Sequence, residues 1–206
     1  MTRDPAPGPK AAEPARSELA GLAESIGVKQ RLLAESGDAI VAAGRLLVDA
    51  VRAGGKVLLF GNGGSAAEAQ HIAAELVGRF GHERPALPAL ALTTDASALT
   101  ALSNDFGFER VFARQIEAHA RRGDVAVALS TSGASPNILA GARAARDRGC
   151  VVLAITGAGG AALAALCDVA VLVASTESSR IQEASLTVGH VWCEMVEAVL
   201  AGPAAP

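Results

Sequence analysis

The chain has 206 residues, half of them hydrophobic, 3% aromatic and none tyrosine, and carries a formal net charge of -3. That length suits one domain with a sizeable core, and the core must be filled mainly by Ala, Leu, Val and Ile. A slightly acidic chain with no basic run and few aromatic rings excludes a direct nucleic-acid surface, whether built on phosphate contacts or on base stacking.

Residues 1–16 hold four of the nine prolines and no continuous apolar segment. They read as a disordered tail, neither a secretory signal nor a membrane anchor. No later apolar run reaches the roughly 18 residues that a spanning helix needs, so no membrane partner is expected. Cys150, Cys167 and Cys193 are odd in number and lack close pairing. Reduced, buried thiols in a cytoplasmic protein are the expectation.

Apolar residues at helical spacing predict two helices, over 17–36 (Leu19, Leu22, Ile26) and 38–53 (Ile40, Leu46, Leu47, Val51). Short apolar runs then alternate with helical segments. Strands are expected at 56–60, 88–92, 124–130, 150–156 and 169–174, and helices at 61–76, 96–102, 108–120, 135–148, 161–166 and 179–201. Strands that are apolar throughout and separated by helices indicate a parallel sheet covered on both faces. The expected fold is therefore an α/β, three-layer, doubly wound domain over 17–202, with a mainly parallel five-stranded sheet preceded by two N-terminal helices. In such sheets ligands bind beyond the carboxyl ends of the strands.

Two of those strand ends run into loops suited to an anion. The first is Gly61-Asn62-Gly63-Gly64-Ser65, where glycines let backbone amides approach a phosphate and the following helix adds positive potential. By itself it is equally a tight turn capped by Ser65. The second is Ser130-Thr131-Ser132-Gly133-Ala134-Ser135-Pro136-Asn137, with Ser135 a natural N-cap and Pro136 a natural first helical residue. Capping accounts for Ser135 alone. The further hydroxyls of Ser130, Thr131 and Ser132 make a neutral donor nest suited to a phosphate monoester. The third Gly-rich loop, 156–160, reads as a turn.

After the first loop, Glu68, His71 and Glu75 stand at i, i+3 and i+7 on one helix face. His71 and Glu75 suit either a shared metal or an acid–base pair. Glu68 reads as a first-turn acid favoured by the helix dipole. The last helix adds Arg180-Ile181-Gln182-Glu183 and then His190, which suits either core packing or the same cleft. Trp192 reads as packing, and His82 and His119 as surface.

Taken in order, GNGGSAAEAQHIAAELVGRF, SNDFGFE, STSGASPN and RIQE with its downstream His resemble the phosphoheptose isomerases, members of the sugar-isomerase (SIS) family of phosphosugar-binding α/β domains, over about residues 18–200. The resemblance implies that Asn62, Gly63, Gly64, Glu75, Asn104, Asp105 and Gln182 contact substrate, and that Ser130, Thr131, Ser132 and Ser135 hold its phosphate. It further implies a zinc ion on His71, Glu75, Gln182 and His190, with Glu75 and His190 as the acid–base residues. It also implies a homotetramer with sites at subunit interfaces. The reaction it implies is aldose–ketose isomerisation of sedoheptulose 7-phosphate through an enediol. Non-catalytic relatives that act as binding modules, such as replication-initiator assembly factors, tend to lose the glutamate that stands here as Glu75. Where the family commonly has a histidine three residues after the glutamine of RIQE, this chain has Ser185.

Overall fold

The computed structural model describes residues 18–200. The predicted tail at 1–16 lies outside the described residues. Five parallel strands form one sheet in the order β2-β1-β3-β4-β5: β1 Val57–Gly61, β2 Ala89–Ala91, β3 Val125–Ser130, β4 Val151–Gly157 and β5 Val169–Val173. The helices are α1 Ala20–Arg52, α2 Gly64–Val77, α3 Ala96–Phe106, α4 Val111–His119, α5 Pro136–Asp147, α6 Ala161–Ala164 and α7 Ser178–Leu200, with a 3-10 turn at Phe108–Arg110 leading into α4. The fold is the expected α/β sandwich, and each expected strand lies within a residue or two of its observed one.

Strand alternation sorts the core into two halves. Val57, Leu59, Val125, Val127, Leu129, Leu153 and Ile155 point toward α1, α2 and α7. Leu58, Phe60, Ala126, Ala128, Val152 and Ala154 point toward α4, α5 and α6. The second face uses alanine in the central strands, which lets its helices lie close. Gly141 of α5 continues that logic, since a Cβ there would come within 2.8 Å of the Phe60 ring. Burying each Val, Leu or Ile side chain contributes roughly 1.5–3 kcal/mol.

The N-terminal region departs from the expected two helices. Both segments are helical, but they run together as a single α1 of 33 residues. Its buried stripe is Val28, Leu32, Ser36, Ile40, Ala43, Leu47 and Val51, spaced three or four apart without interruption through Ser36-Gly37. Ser36 holds that position because its hydroxyl donates to the Leu172 carbonyl of β5 at 2.7 Å. Leu19, Leu22 and Ile26, the residues that marked the first predicted helix, are about half exposed. In the first half of α1, packing against β5 and α7 therefore buries a different face from the one that Leu19, Leu22 and Ile26 suggest.

Because β1 leads out to β2 on one side and β3 begins on the other, the chain reverses direction across the sheet between β1 and β3. The carboxyl ends of these two strands flank the crevice where doubly wound sheets bind ligands. At the opposite edge Asp124 ties the strand starts together. Its carboxylate accepts from the Lys56 amide at 3.0 Å, the Lys56 ammonium at 2.5 Å and the Arg121 amide at 2.7 Å.

Candidate active site

The two anion loops sit side by side at the β1/β3 crevice, joined by an amide pair. Asn62 Nδ2 donates to Asn137 Oδ1 at 2.9 Å, and Asn137 Nδ2 donates back to Asn62 Oδ1 at 2.8 Å. Asn137 is buried, and its Oδ1 also accepts from the Ile138 amide. With both ends of its amide engaged, Asn62 offers a ligand chiefly its backbone. Gly63 has φ +55°, a conformation that favours glycine, and it precedes the first turn of α2.

In the second loop Ser130 is buried and its hydroxyl accepts from the Gly133 amide at 3.1 Å, while Ser132 Oγ accepts from the Ala134 amide at 3.2 Å. Ser135 occupies the N-cap of α5, with Pro136 next, but its hydroxyl makes no capping bond. It is left available to a ligand at the helix N-terminus. Gly133, at φ +63°, allows no side chain: a Cβ would lie 2.5 Å from Gly160 Cα. The third Gly-rich loop therefore has a role that turn chemistry did not reveal. It buttresses the hydroxyl loop, with the Gly157 amide also donating to the Thr131 carbonyl at 3.1 Å.

The second half of the site lies where α2 packs along α7. A Cβ on Gly189 would come within 2.5 Å of Ile72 Cδ1, so glycine sets the close approach of the two helices. Beside this contact His71 Nε2 and His190 Nε2 face each other at 2.9 Å, and His71 Nε2 lies 3.4 Å from Glu75 Oε1. With both rings neutral, one nitrogen donates and the other accepts. The Phe80 ring covers His190 at a centroid distance of 5.2 Å. His190, which the sequence left between core packing and the cleft, is half-buried rather than core, with its ring against His71 and Phe80.

These donors suit a divalent cation. Ligand atoms of a tetrahedral zinc with bonds of about 2.0–2.1 Å stand roughly 3.3 Å apart, and the 2.9 and 3.4 Å separations bracket that value. Among the described residues no three His, Cys, Asp or Glu side chains are drawn together as a finished cage. The fit is that of the two His71 pairs. Gln182 stands apart from them. It lies within α7, eight residues before His190 and about 12 Å of rise away, with its amide packed over Gly64, where a Cβ would come within 2.7 Å of Gln182 Cδ.

Glu68 reads from the sequence as a first-turn acid favoured by the helix dipole, but it falls beyond the first turn of α2. It is buried, and its Oε2 has no hydrogen-bond partner. Burial pushes the carboxyl up to about 7, and the Ser65 hydroxyl only partly offsets this. Helical spacing places Glu68 on the face of His71 but does not by itself specify that it is buried. Asn104 and Asp105 are exposed at the end of α3, where the Asn104 amide donates to Asp105 Oδ1 at 2.8 Å. The Ser185 hydroxyl is buried and donates to the Ile181 carbonyl at 2.8 Å, so the position where the family commonly has histidine is satisfied within its own helix. Trp192 is core, its Nε1 donating to the Ile40 carbonyl, and His82 and His119 are exposed, as the sequence suggested. The three thiols are free, with Cys150 and Cys193 buried. Burial is the main cause that pushes each thiol up, to about 11 for Cys150 and about 12 for Cys167 and Cys193.

A parallel α/β sheet with glycine and hydroxyl loops at its switch point, and with His71 of α2 paired to His190 and to Glu75, is the architecture of a phosphosugar-isomerase-type domain. Residues 22–157 match the SIS domain family. The phosphoheptose isomerase of Solidesulfovibrio magneticus is 53% identical over 174 residues, covering 84% of this chain and 85% of that one. That of Aquifex aeolicus is 52% identical over 174 residues, covering 84% and 91%. Among solved structures, the phosphoheptose isomerases of Neisseria gonorrhoeae (TM-score 0.84, 41% identity, 89% and 98% covered) and Francisella tularensis (TM-score 0.85, 35% identity, 89% and 97% covered) share the fold. The chain belongs to the SIS domain family, within its phosphoheptose isomerases.

Proposed function

We propose that this enzyme interconverts sedoheptulose 7-phosphate and D-glycero-D-manno-heptose 7-phosphate through an enediol. The observation that carries the reading is the pairing of His71 with His190 at 2.9 Å and with Glu75 at 3.4 Å where α2 packs along α7. Isomerisation needs a base at carbon and a donor at oxygen, and a carboxylate beside paired imidazoles supplies both. Glu75 takes a proton from C1 of the ketose and returns it to C2. His190 moves the hydroxyl proton from O1 to O2, so that the bonds rearrange with no net loss of protons.

Phosphate binding holds the sugar in place for this transfer. The hydroxyls of Ser130, Thr131, Ser132 and Ser135, with the free amides at the start of α5, take the phosphate by hydrogen bonds and helix dipole. The backbone of Asn62, Gly63 and Gly64 lines the other side of the crevice, and Gln182 packed over Gly64 faces the same strand end. Anchoring the far end of the substrate converts binding energy into alignment of C1 and C2. His71, Glu75 and His190 would hold a zinc ion, with Gln182 as the further ligand implied by family resemblance. Bound there, zinc would polarise the carbonyl oxygen and stabilise negative charge on it.

A homotetramer completes the proposal. Leu19, Leu22, Ile26 and Leu33 leave an apolar stripe on α1, and Phe106 and Phe108 are exposed beside Asn104 and Asp105. Covering these surfaces with second copies would bring Asn104 and Asp105 to a shared site; a monomer at micromolar concentration by light scattering would remove this part.

The test is a coupled assay with sedoheptulose 7-phosphate, before and after chelation and with zinc restored. Turnover that is lost on chelation and returns with zinc supports isomerase and metal together. Glu75→Gln should abolish turnover while sparing phosphate-dependent binding, and an active Gln variant would remove Glu75 from the mechanism.

A further inference from the structure

The segment between α2 and β2 is held by a buried ion pair that the mechanism above does not use. The side chains of Arg84 and Glu197 are 1% and 3% exposed, with Arg84 Nε 3.3 Å from Glu197 Oε1. From that position Arg84 reaches the end of α2. Its Nη2 donates to the Glu75 carbonyl at 2.8 Å and its Nη1 to the Leu76 carbonyl at 2.9 Å. These are last-turn carbonyls, and a cation there also suits the helix dipole.

Glu197, seven residues after His190 on α7, serves the other partner. Its Oε1 accepts from the Phe80 amide at 2.7 Å, and its Oε2 accepts from the Gly81 and His82 amides at 2.8 and 3.0 Å. Phe80 is the ring that covers His190. Burial by itself would raise the Glu197 carboxyl, but the three amides and Arg84 outweigh it and hold the group below its ordinary range. Two charges in the interior are a poor route to stability alone, since an apolar pair of similar volume packs as well or better. What an apolar pair lacks is directed bonds to the backbone of Glu75 and of Phe80.

We infer that Arg84 and Glu197 are positioning residues, the guanidinium fixing the backbone of Glu75 and the carboxylate fixing Phe80 against His190. This rests on the reading of Glu75 and His190 as the acid–base pair. It predicts that the ion pair acts on turnover more than on substrate binding, because the hydroxyl loop assigned to the phosphate lies between β3 and α5, and Arg84 grips only the far end of α2 from Gly64.

The experiment compares Glu197→Gln and Arg84→Lys with wild type in the full-length protein, using steady-state kinetics on sedoheptulose 7-phosphate and two-bond 1H–15N spectra of the imidazoles. The expected result is a roughly 10- to 100-fold fall in kcat with KM changed less than about threefold, and altered His190 and His71 nitrogen shifts. Lowered thermal stability with wild-type kcat per folded molecule and unchanged imidazole spectra would overturn it, leaving a purely structural pair. The spectra need no substrate, so they decide the positioning even if the chain turns over another sugar. Should either pair variant fail to fold, Phe80→Leu keeps the pair and removes the ring from His190. The same kcat-specific fall and shifted His190 spectrum are then expected, and their absence would refute the inference.

Discussion

Gly189→Ala sets two known effects against each other at the point where His71 and His190 meet. In an exposed helix interior, replacing Gly by Ala stabilises by about 1 kcal/mol. Here the new Cβ would stand 2.5 Å from Ile72 Cδ1 and 2.7 Å from Ile72 Cγ1, against about 3.5–4.0 Å for carbon atoms in contact. Ile72 is 1% exposed and has no room to swing away. Relief therefore requires α2 and α7 to separate by about 1 Å, an overpacking that typically costs about 1–3 kcal/mol. Strain exceeds propensity, and a net destabilisation of about 1 kcal/mol is expected. The same shift would stretch the 2.9 Å contact between His71 and His190 beyond hydrogen-bond range. A misplacement of that size lowers kcat by roughly 100-fold. Urea denaturation and steady-state kinetics measure both effects. Adding Ile72→Val, which removes the Cδ1 atom, should recover part of the lost turnover. A Gly189→Ala protein that is about 1 kcal/mol more stable and fully active would show that α7 is not held close by this contact.

Two other sites give separate tests. Glu68 is raised from 4.5 to about 7 in the fold, so the folded state favours its neutral form. Its contribution to stability is then complete below pH 4.5, is lost as pH climbs toward 7 and is flat above that, an excursion of about 3 kcal/mol. Glu68→Gln should flatten this limb and leave the protein more stable than wild type at pH 8; denaturation curves from pH 4.5 to 8 that superimpose would contradict the burial argument. Gly133→Ala places a Cβ 2.5 Å from a backbone atom, Gly160 Cα, at a φ of +63°. Neither backbone can yield cheaply, so KM should rise at least about tenfold and inorganic phosphate should compete more weakly, while an unchanged KM would remove the hydroxyl loop from phosphate binding.

Much of this architecture is legible in local sequence. Continuous apolar runs such as Val125–Ser130 between helical segments specify strands buried on both faces, and Ser135-Pro136 marks where α5 begins. Glycine and hydroxyl spacing locates the loops. These features depend on periodicity and turn chemistry, which act over a few residues. Other features required the fold. Leu22 and Ile26 are apolar at helical spacing, but the face of α1 that is buried runs through Val28, Leu32 and Ser36, because β5 and α7 lie on that side. Glu68 and Glu75 share one helix, yet Glu68 alone is sealed from water with an unpaired oxygen. Gly189 reads as a weak helix residue until Ile72 is seen opposite it. Arg84 and Glu197 are 113 residues apart in sequence and meet only after α2 and α7 have packed. The sequence by itself determined which segments become strands and helices and which loops suit a phosphate, because those depend on neighbours along the chain. Tertiary structure alone decided which carboxylates are buried, which imidazoles meet and which glycines leave no room for a side chain, because each depends on the atoms that distant packing places within a few ångströms.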